Sequence, residues 1–202
     1  SALQDCFELC RTRGNGREID GMAAIPPDDP ATYDMIQKAD TIGLFQIESR
    51  AQMATLPRLR PRRFYDLVVE VAIIRPGPIV GNMVHPYIER RNGREEPDYI
   101  DPRFEPVLKR TLGVPLFQEQ VLQMAVTIAN FSGSEAEELR RAISFNRSEE
   151  RMQKVLLKLR AGMDKNGVSK ETQGRIEEAI HSFALYGFPE SHAISFALLA
   201  YA

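Results

Sequence analysis

The sequence has no tryptophan and only two cysteines among its 202 residues. Cys6 and Cys10 lie four residues apart, so a helix places both thiols on one face. No second cysteine pair or nearby histidine supplies the two further ligands that a zinc site requires. We therefore predict that both cysteines are small apolar residues on a buried face of a cytosolic protein.

Long hydrophobic runs and an excess of positive charge are also missing. No apolar run approaches the ~20 residues that a membrane-spanning helix needs, and no signal peptide opens the chain. We therefore expect a cytoplasmic protein with no membrane partner. The formal net charge of -2 gives no global indication of nucleic-acid binding. The chain ends in the apolar, helix-like run FALLAYA without a cap, so we expect a fragment of a longer protein.

Common catalytic motifs are lacking too. The acidic residues are scattered, and the adjacent pair Asp28-Asp29 lies where a helix cap is expected. Metal-assisted phosphoryl transfer needs clustered carboxylates, so no complete metal site is predicted within this chain. A phosphate-binding G-x-x-x-x-G-K-S/T loop and a G-x-S-x-G nucleophile elbow are both absent.

Helical patterns fill most of the sequence. Residues 2–13 predict a first helix, and Asp29 followed by Pro30 predicts the start of a second. Residues 41–48 favour a short strand or an extended crossing, and the next helix, over 49–56, is expected to stop at Pro57.

The later part of the chain continues this pattern. An apolar stripe indicates a helix over 118–131, and Ser134 with Glu137 forms a capping-box pattern. Ser148 and Ser169 are expected to open two further helices, and a last one runs from about Ser191. We predict one mainly α, multi-helix domain over residues 1–202, with at most a few short strands.

Arginine clusters are the strongest chemical feature, because 20 of the 26 basic residues are arginine. Spacing alone favours a salt-bridged helix face, with Glu137 and Glu138 each paired to Arg141. The alternative is a site for a ligand with several negative charges. His192, at an expected helix start, is a weaker anion-binding signal. The clusters are Arg58, Arg60, Arg62 and Arg63; Arg90, Arg91 and Arg94; and Arg140, Arg141, Arg147 and Arg151.

Five ordered segments carry a resemblance to a known family. They are GLFQIESRAQM (43–53), IIRPGPIVGNMV (73–84), GVPLFQEQVLQMA (113–125), EELRRA (137–142) and YGFPESHAISFALLAYA (186–202). The chain resembles the bacterial C-family DNA polymerases of the DNA polymerase III alpha-subunit type over about residues 24–202. The forms RPRRFYDLVVEVAIIRPGPI and YGFPESHA look most like the error-prone branch, in which Phe196 stands where the replicative branch usually has Tyr.

The resemblance implies a fingers domain of a template-directed DNA polymerase active in error-prone synthesis after DNA damage. The metal-binding aspartates and two Mg²⁺ would lie in a palm domain outside this chain, so the fragment alone is expected to be inactive. The implied partners are primer–template DNA and a dNTP. A sliding clamp and other accessory proteins would bind through regions not present here.

The resemblance also assigns roles to individual residues. Arg140 and Arg141 correspond to an arginine pair that reaches the incoming triphosphate, and His192 and Phe196 are expected near the nascent base pair. Arg147 is the candidate to replace a lysine run that the replicative branch usually carries. Three further residues are expected in the cleft, as ligand contacts or as architecture: Arg75, Gln118 and Tyr186.

Two other functions remain open from the sequence. A helical DNA-binding module would grip phosphates through PRLRPRR (57–63) and ERRNGR (89–94). A structural scaffold without nucleotide contact would pair its arginines with glutamates.

Overall fold

A computed structural model describes residues 2–13, 19, 21–74, 80–144, 149–184 and 188–202. Over these ranges the chain is mainly α-helical and contains no strand, which confirms the predicted fold class. None of the described helices is both long enough and apolar enough to span a membrane. The α-helices are α1 (Ala2–Arg13), α2 (Pro30–Gln37), α3 (Arg50–Leu59), α4 (Phe64–Ile73), α5 (Val80–Arg91), α6 (Glu105–Leu108), α7 (Gln118–Ala129), α8 (Gly133–Ser144), α9 (Glu149–Lys165), α10 (Lys170–Ala184) and α11 (Glu190–Tyr201). Short 3-10 helices cover Met22–Ala24, Pro102–Phe104 and Lys109–Thr111.

The chain divides into two compact units. The first consists of Ser1–Val71 together with Ile194–Ala202, and the second of Ala72–Ala193. Helices α4 and α11 each pass from one unit into the other.

In the first unit, hydrogen bonds fix the turn before α2. The Asp29 carboxylate accepts the Thr32 N–H at 2.8 Å, which confirms the predicted cap. The Asp29 N–H donates to Tyr201 Oη at 2.7 Å, and this hydroxyl donates to the Pro26 carbonyl at 2.8 Å. The end of α11 is thereby attached to the start of α2.

Residues 41–48 form successive turns, so the prediction of a strand or extended crossing was wrong. Gly43 and Gln46 adopt positive φ angles of 84° and 61°, which a strand does not allow. The Thr41 hydroxyl donates to the Ile47 carbonyl at 2.6 Å, and both residues are fully buried. Local hydrogen bonds therefore hold a folded loop that Thr41 and Ile47 anchor.

Helix α3 contains Pro57, although the sequence predicted that the helix would stop there. The proline lies in the last turn, where its missing N–H removes one bond near an end that already lacks partners. The helix ends at Arg60, whose φ of 51° gives a left-handed cap. Ser49 and Gln52 form a reciprocal capping box at the other end.

Helix α4 is buried from Asp66 to Ile73. Leu67, Val68 and Val69 have no exposed surface, and neither does the acidic residue Glu70. Burial of so many consecutive residues requires packing on several sides of the helix.

The core of the second unit is formed by α7, α8, α9 and α10. The predicted stripe of α7 is fully buried. Gly162 of α9 allows a close helix crossing, because a Cβ there would lie 2.4 Å from the Ala129 carbonyl of α7. The buried α7 residues are Val121, Met124, Ala125 and Ile128.

Two sequence predictions, one about the cap of α8 and one about the buried face of α1, were wrong. The capping box of α8 is formed by Ser132 and Glu135 rather than Ser134 and Glu137, with the Ser132 N–H 2.9 Å from Glu135 Oε2. Both serines fit the S-x-x-E pattern, and α8 begins at Gly133. In α1, Cys6 is exposed and Cys10 half-buried, so neither lies on a buried face. The half-buried stripe of α1 is Leu3, Phe7 and Cys10.

Candidate functional site

The C-terminal half of α8 carries the two predicted phosphate-binding arginines. Leu139, Ala142 and Ile143 are buried and anchor this helix in the core of the second unit. Arg140 and Arg141 lie on the remaining surface of α8, and 43% and 65% of their side chains are exposed. Their backbone is therefore firmly held while both guanidinium groups are accessible.

The carboxylate of Glu137 holds both guanidinium groups. Arg140 donates from Nε to Oε2 at 2.7 Å and from Nη2 to Oε1 at 2.8 Å. Arg141 donates from Nε to Oε1 at 3.0 Å. These bonds, from Arg140 first and then Arg141, lower the pKa of Glu137 from 4.5 to about 2. The three side chains therefore form one ionised cluster with two positive charges and one negative charge.

The predicted Glu137–Arg141 pair is confirmed, but the predicted Glu138–Arg141 pair was wrong. Glu138 accepts a hydrogen bond from Lys158 at 2.6 Å instead. Because α9 packs against α8, a cation from the neighbouring helix reaches Glu138. Sequence spacing along α8 contains no information about this competitor.

The two arginines differ in how much donor capacity they retain. Arg140 engages Glu137 through a two-point fork, which is the stronger and more directional pairing. Arg141 uses only Nε, and its terminal nitrogens make no hydrogen bond within the described part of the chain. Its outer edge can therefore bind a second anion such as a phosphate oxygen.

A groove continues from Arg141 between α8 and α9. It has a volume of about 570 Å³ and contains four cationic side chains. Lys154 and Lys158 were not among the predicted site residues, although the spacing of Arg151, Lys154 and Lys158 places all three along one side of a helix. The lining residues are Glu138, Arg141, Arg151, Lys154, Val155, Leu157 and Lys158.

Gln118 and His192 lie on either side of one junction in the second unit. Gln118 is buried, and its N–H donates to the Phe188 carbonyl at 3.1 Å. His192 is exposed, and its ring lies 5.0 Å from that of Phe188. The first N–H of α11, from Glu190, donates to the Glu119 carboxylate at 3.0 Å. A carboxylate of the chain itself thus occupies the helix start at which an anion was predicted.

Gln120 fixes the segment that leads into this junction. Its Oε1 accepts the N–H groups of Leu116 and Phe117 at 2.9 and 3.0 Å. Its Nε2 donates to the Thr111 hydroxyl at 2.9 Å. The backbone before Gln118 is therefore rigid.

Phe196 lies in the first unit, on the part of α11 that follows Ala193. Its ring contacts Phe45 edge-to-face, with centroids 5.1 Å apart. Phe45 is 45% exposed and is presented by the hydrogen-bonded loop of residues 41–48. Sequence reasoning missed Phe45, although it lies within the GLFQIESRAQM segment.

The second arginine cluster is largely engaged in structural pairs. Arg90 donates to Glu95 at 2.9 Å and to the Leu112 carbonyl at 2.9 Å, and only 9% of its side chain is exposed. Arg94 forms a two-point pair with Glu89. These contacts weaken the case for a DNA-binding module built on residues 89–94.

Three predicted site residues, Arg75, Arg147 and Tyr186, lie outside the described residues, as does the predicted helix start at Ser148. Over the described ranges no three His, Cys, Asp or Glu side chains come together as a metal-binding group. The described part of the chain thus offers a cationic site and no metal centre.

Comparison with known proteins gives a consistent family. The family model for the bacterial DNA polymerase III alpha subunit finger domain matches residues 1–167. A protein named error-prone DNA polymerase from Pseudomonas fluorescens (strain Pf0-1) is 58% identical over the whole chain, which covers 20% of that protein. Error-prone DNA polymerase 1 of Agrobacterium fabrum is 55% identical over the whole chain, which covers 18% of it. The chain thus spans about a fifth of the length of these relatives.

Proposed function

The chain belongs to the family of bacterial DNA polymerase III alpha subunit finger domains, and on that basis we propose that it is the fingers part of an error-prone DNA polymerase. In this proposal Arg140 and Arg141 bind the triphosphate of the incoming dNTP. His192 and Phe196 lie near the nascent base pair, and the protein acts on primer–template DNA during synthesis past damage. Accessory proteins such as a sliding clamp bind elsewhere on the full-length enzyme.

The family match carries the proposal, because a structural scaffold would also pair these arginines with a glutamate. The geometry that fits nucleotide binding is the shared carboxylate of Glu137. It holds two neighbouring guanidinium groups in place without neutralising both charges. Because the carboxylate fixes the side chains before a ligand arrives, less conformational freedom is lost on binding. A triphosphate offers several oxygens, which suits two donors with fixed positions.

The chemistry assigned to this chain is electrostatic. As the bond to the leaving pyrophosphate breaks, negative charge grows on the phosphate oxygens. Fixed guanidinium groups stabilise that charge without reorganising. In this proposal, as the family resemblance implies, Mg²⁺ would be held by carboxylates outside this chain, and the fragment alone would not polymerise.

The test uses Arg140→Ala and Arg141→Ala in the full-length polymerase, with Arg103→Ala as the matched control. Arg103 is 42% exposed and forms a two-point pair with Asp101, much as Arg140 does with Glu137. Losing one charge-assisted contact to the triphosphate should lower kcat/KM for dNTP by about 10- to 100-fold. The control should retain the wild-type value.

The readout separates a binding role from a structural one. Circular dichroism and the affinity for primer–template DNA without nucleotide should be unchanged in Arg140→Ala. If kcat/KM for dNTP stays at the wild-type value in both variants, the triphosphate role is wrong.

A further inference from the structure

The groove between α8 and α9 is predominantly positively charged. Four cations line it, and Glu138 is the single carboxylate among the lining residues. Val155 and Leu157 form its apolar part, and Leu157 is 61% exposed. Leu157 places one exposed aliphatic surface beside the cations, which fits a ligand that is anionic along one edge and less polar along the other.

The lysines of the groove are held only by exposed ion pairs. Lys154 donates to Glu150 at 2.7 Å, and Lys158 donates to Glu138 at 2.6 Å. The side chains of both lysines and both glutamates are between 45% and 78% exposed. Such pairs contribute little to stability, so a phosphate can replace the carboxylates at small cost.

The cations are spaced for a linear ligand. Arg151, Lys154 and Lys158 follow one side of α9 over seven residues, which is about 10 Å of helix axis. Arg141 faces them from α8. The row therefore presents successive positive charges about one helical turn apart, and it adjoins the arginine pair assigned to the triphosphate.

We propose that this groove binds the sugar–phosphate backbone of single-stranded DNA, namely the unpaired template ahead of the nascent base pair. Phosphates would bind the four cations, and deoxyribose would pack on Leu157. An acidic protein segment is the less favoured ligand, because Arg141 belongs both to the groove and to the proposed nucleotide site. The inference rests on the proposed polymerase function.

The experiment measures DNA binding by the full-length polymerase without nucleotide, so that loss of the triphosphate contact cannot produce the result. The probe is a primer–template with either a one-nucleotide or a long single-stranded template overhang. Lys154→Gln/Lys158→Gln is compared with Lys109→Gln/Lys170→Gln. The control lysines are also exposed and paired, to Glu105 and Asp164, and lie outside the groove.

With the long overhang, the plot of log Kobs against log [salt] should become shallower by about 1.4 in the groove variant, since each lost single-strand phosphate contact removes about 0.7. The control variant should keep the wild-type slope, and with the short overhang all three proteins should agree. An unchanged slope for the groove variant on the long overhang overturns the proposal. An acidic protein segment is then the favoured ligand of the groove. Failure of the nucleotide site would appear separately, in the dNTP kinetics of Arg140→Ala.

Discussion

Glu70 gives α4 a pH-dependent stability that can be measured. Its carboxyl group is fully buried, and neither oxygen has a hydrogen-bond partner within the described residues. Burial raises the pKa of Glu70 from 4.5 to about 8. Asp66, one turn earlier, is equally buried but accepts the N–H groups of Arg62 and Arg63 at 2.8 and 3.2 Å. The missing hydrogen bonds thus distinguish Glu70 from its neighbour.

The sign follows from where the proton is held. Between pH 4.5 and 8 the folded state keeps the Glu70 proton while the unfolded state has lost it. Stability therefore falls as pH rises through this window, and it is level below and above it. At pH 7, two and a half units above the ordinary pKa, the free energy of unfolding is about 3 kcal/mol lower than in acid. At pH 5.5 it is about 1 kcal/mol lower.

The perturbation is Glu70→Gln, with Glu70→Leu as a second variant that also removes the polar group. Hydrogen exchange of α4 amides in the full-length protein, read by mass spectrometry, compares each variant with wild type at equal pH. The protection gained by the variants should grow by about 2 kcal/mol between pH 5.5 and 7. Amides of α7 provide an internal control. A gain in α4 that is the same at both pH values would refute the reasoning.

Three further predictions concern packing, each read by hydrogen exchange of the helices involved. Gly162→Ala should destabilise the α7–α9 crossing by about 1–3 kcal/mol through overpacking, whereas Gly174→Ala, where a Cβ meets nothing within 4 Å, should stabilise α10 by about 0.5–1 kcal/mol. An equal effect of the two would contradict this. Gln120→Ala should destabilise the start of α7 by about 1–3 kcal/mol, because buried donors lose their acceptor; wild-type protection there would count against it. A double-mutant cycle of Phe45→Leu and Phe196→Leu should give a coupling of about 0.5–1.5 kcal/mol, and additive effects would rule out an energetic contact.

The sequence predicted local structure best where residues close together in the chain decide it. The Asp29 cap and the buried stripe of α7 depend on short-range geometry, and both were confirmed. Two S-x-x-E patterns overlapped before α8, and the pattern alone could not select Ser132 over Ser134. Pro57 was expected to end α3, but a proline in the last turn removes only one bond near an end.

The candidate site was predictable only in part. The Glu137–Arg141 pair was predicted from helical spacing and is confirmed. The two-point pair of Arg140 with Glu137 was not predicted, although it has i,i+3 spacing. The capture of Glu138 by Lys158, and the groove it belongs to, depend on how α9 packs against α8. Spacing within one helix cannot reveal a partner that lies twenty residues away in the chain.

Inhibition by pyrophosphate tests the central claim most directly, because pyrophosphate corresponds to the β- and γ-phosphates of the dNTP without its α-phosphate, sugar or base. In the full-length polymerase, Arg140→Ala and Arg141→Ala should each raise the pyrophosphate Ki by about the same factor as the KM for dNTP, on the order of 10-fold or more. Arg103→Ala should leave both constants unchanged. A raised KM with a wild-type pyrophosphate Ki would contradict the claim that the arginines stabilise the leaving pyrophosphate, because they would then act on the α-phosphate, sugar or base.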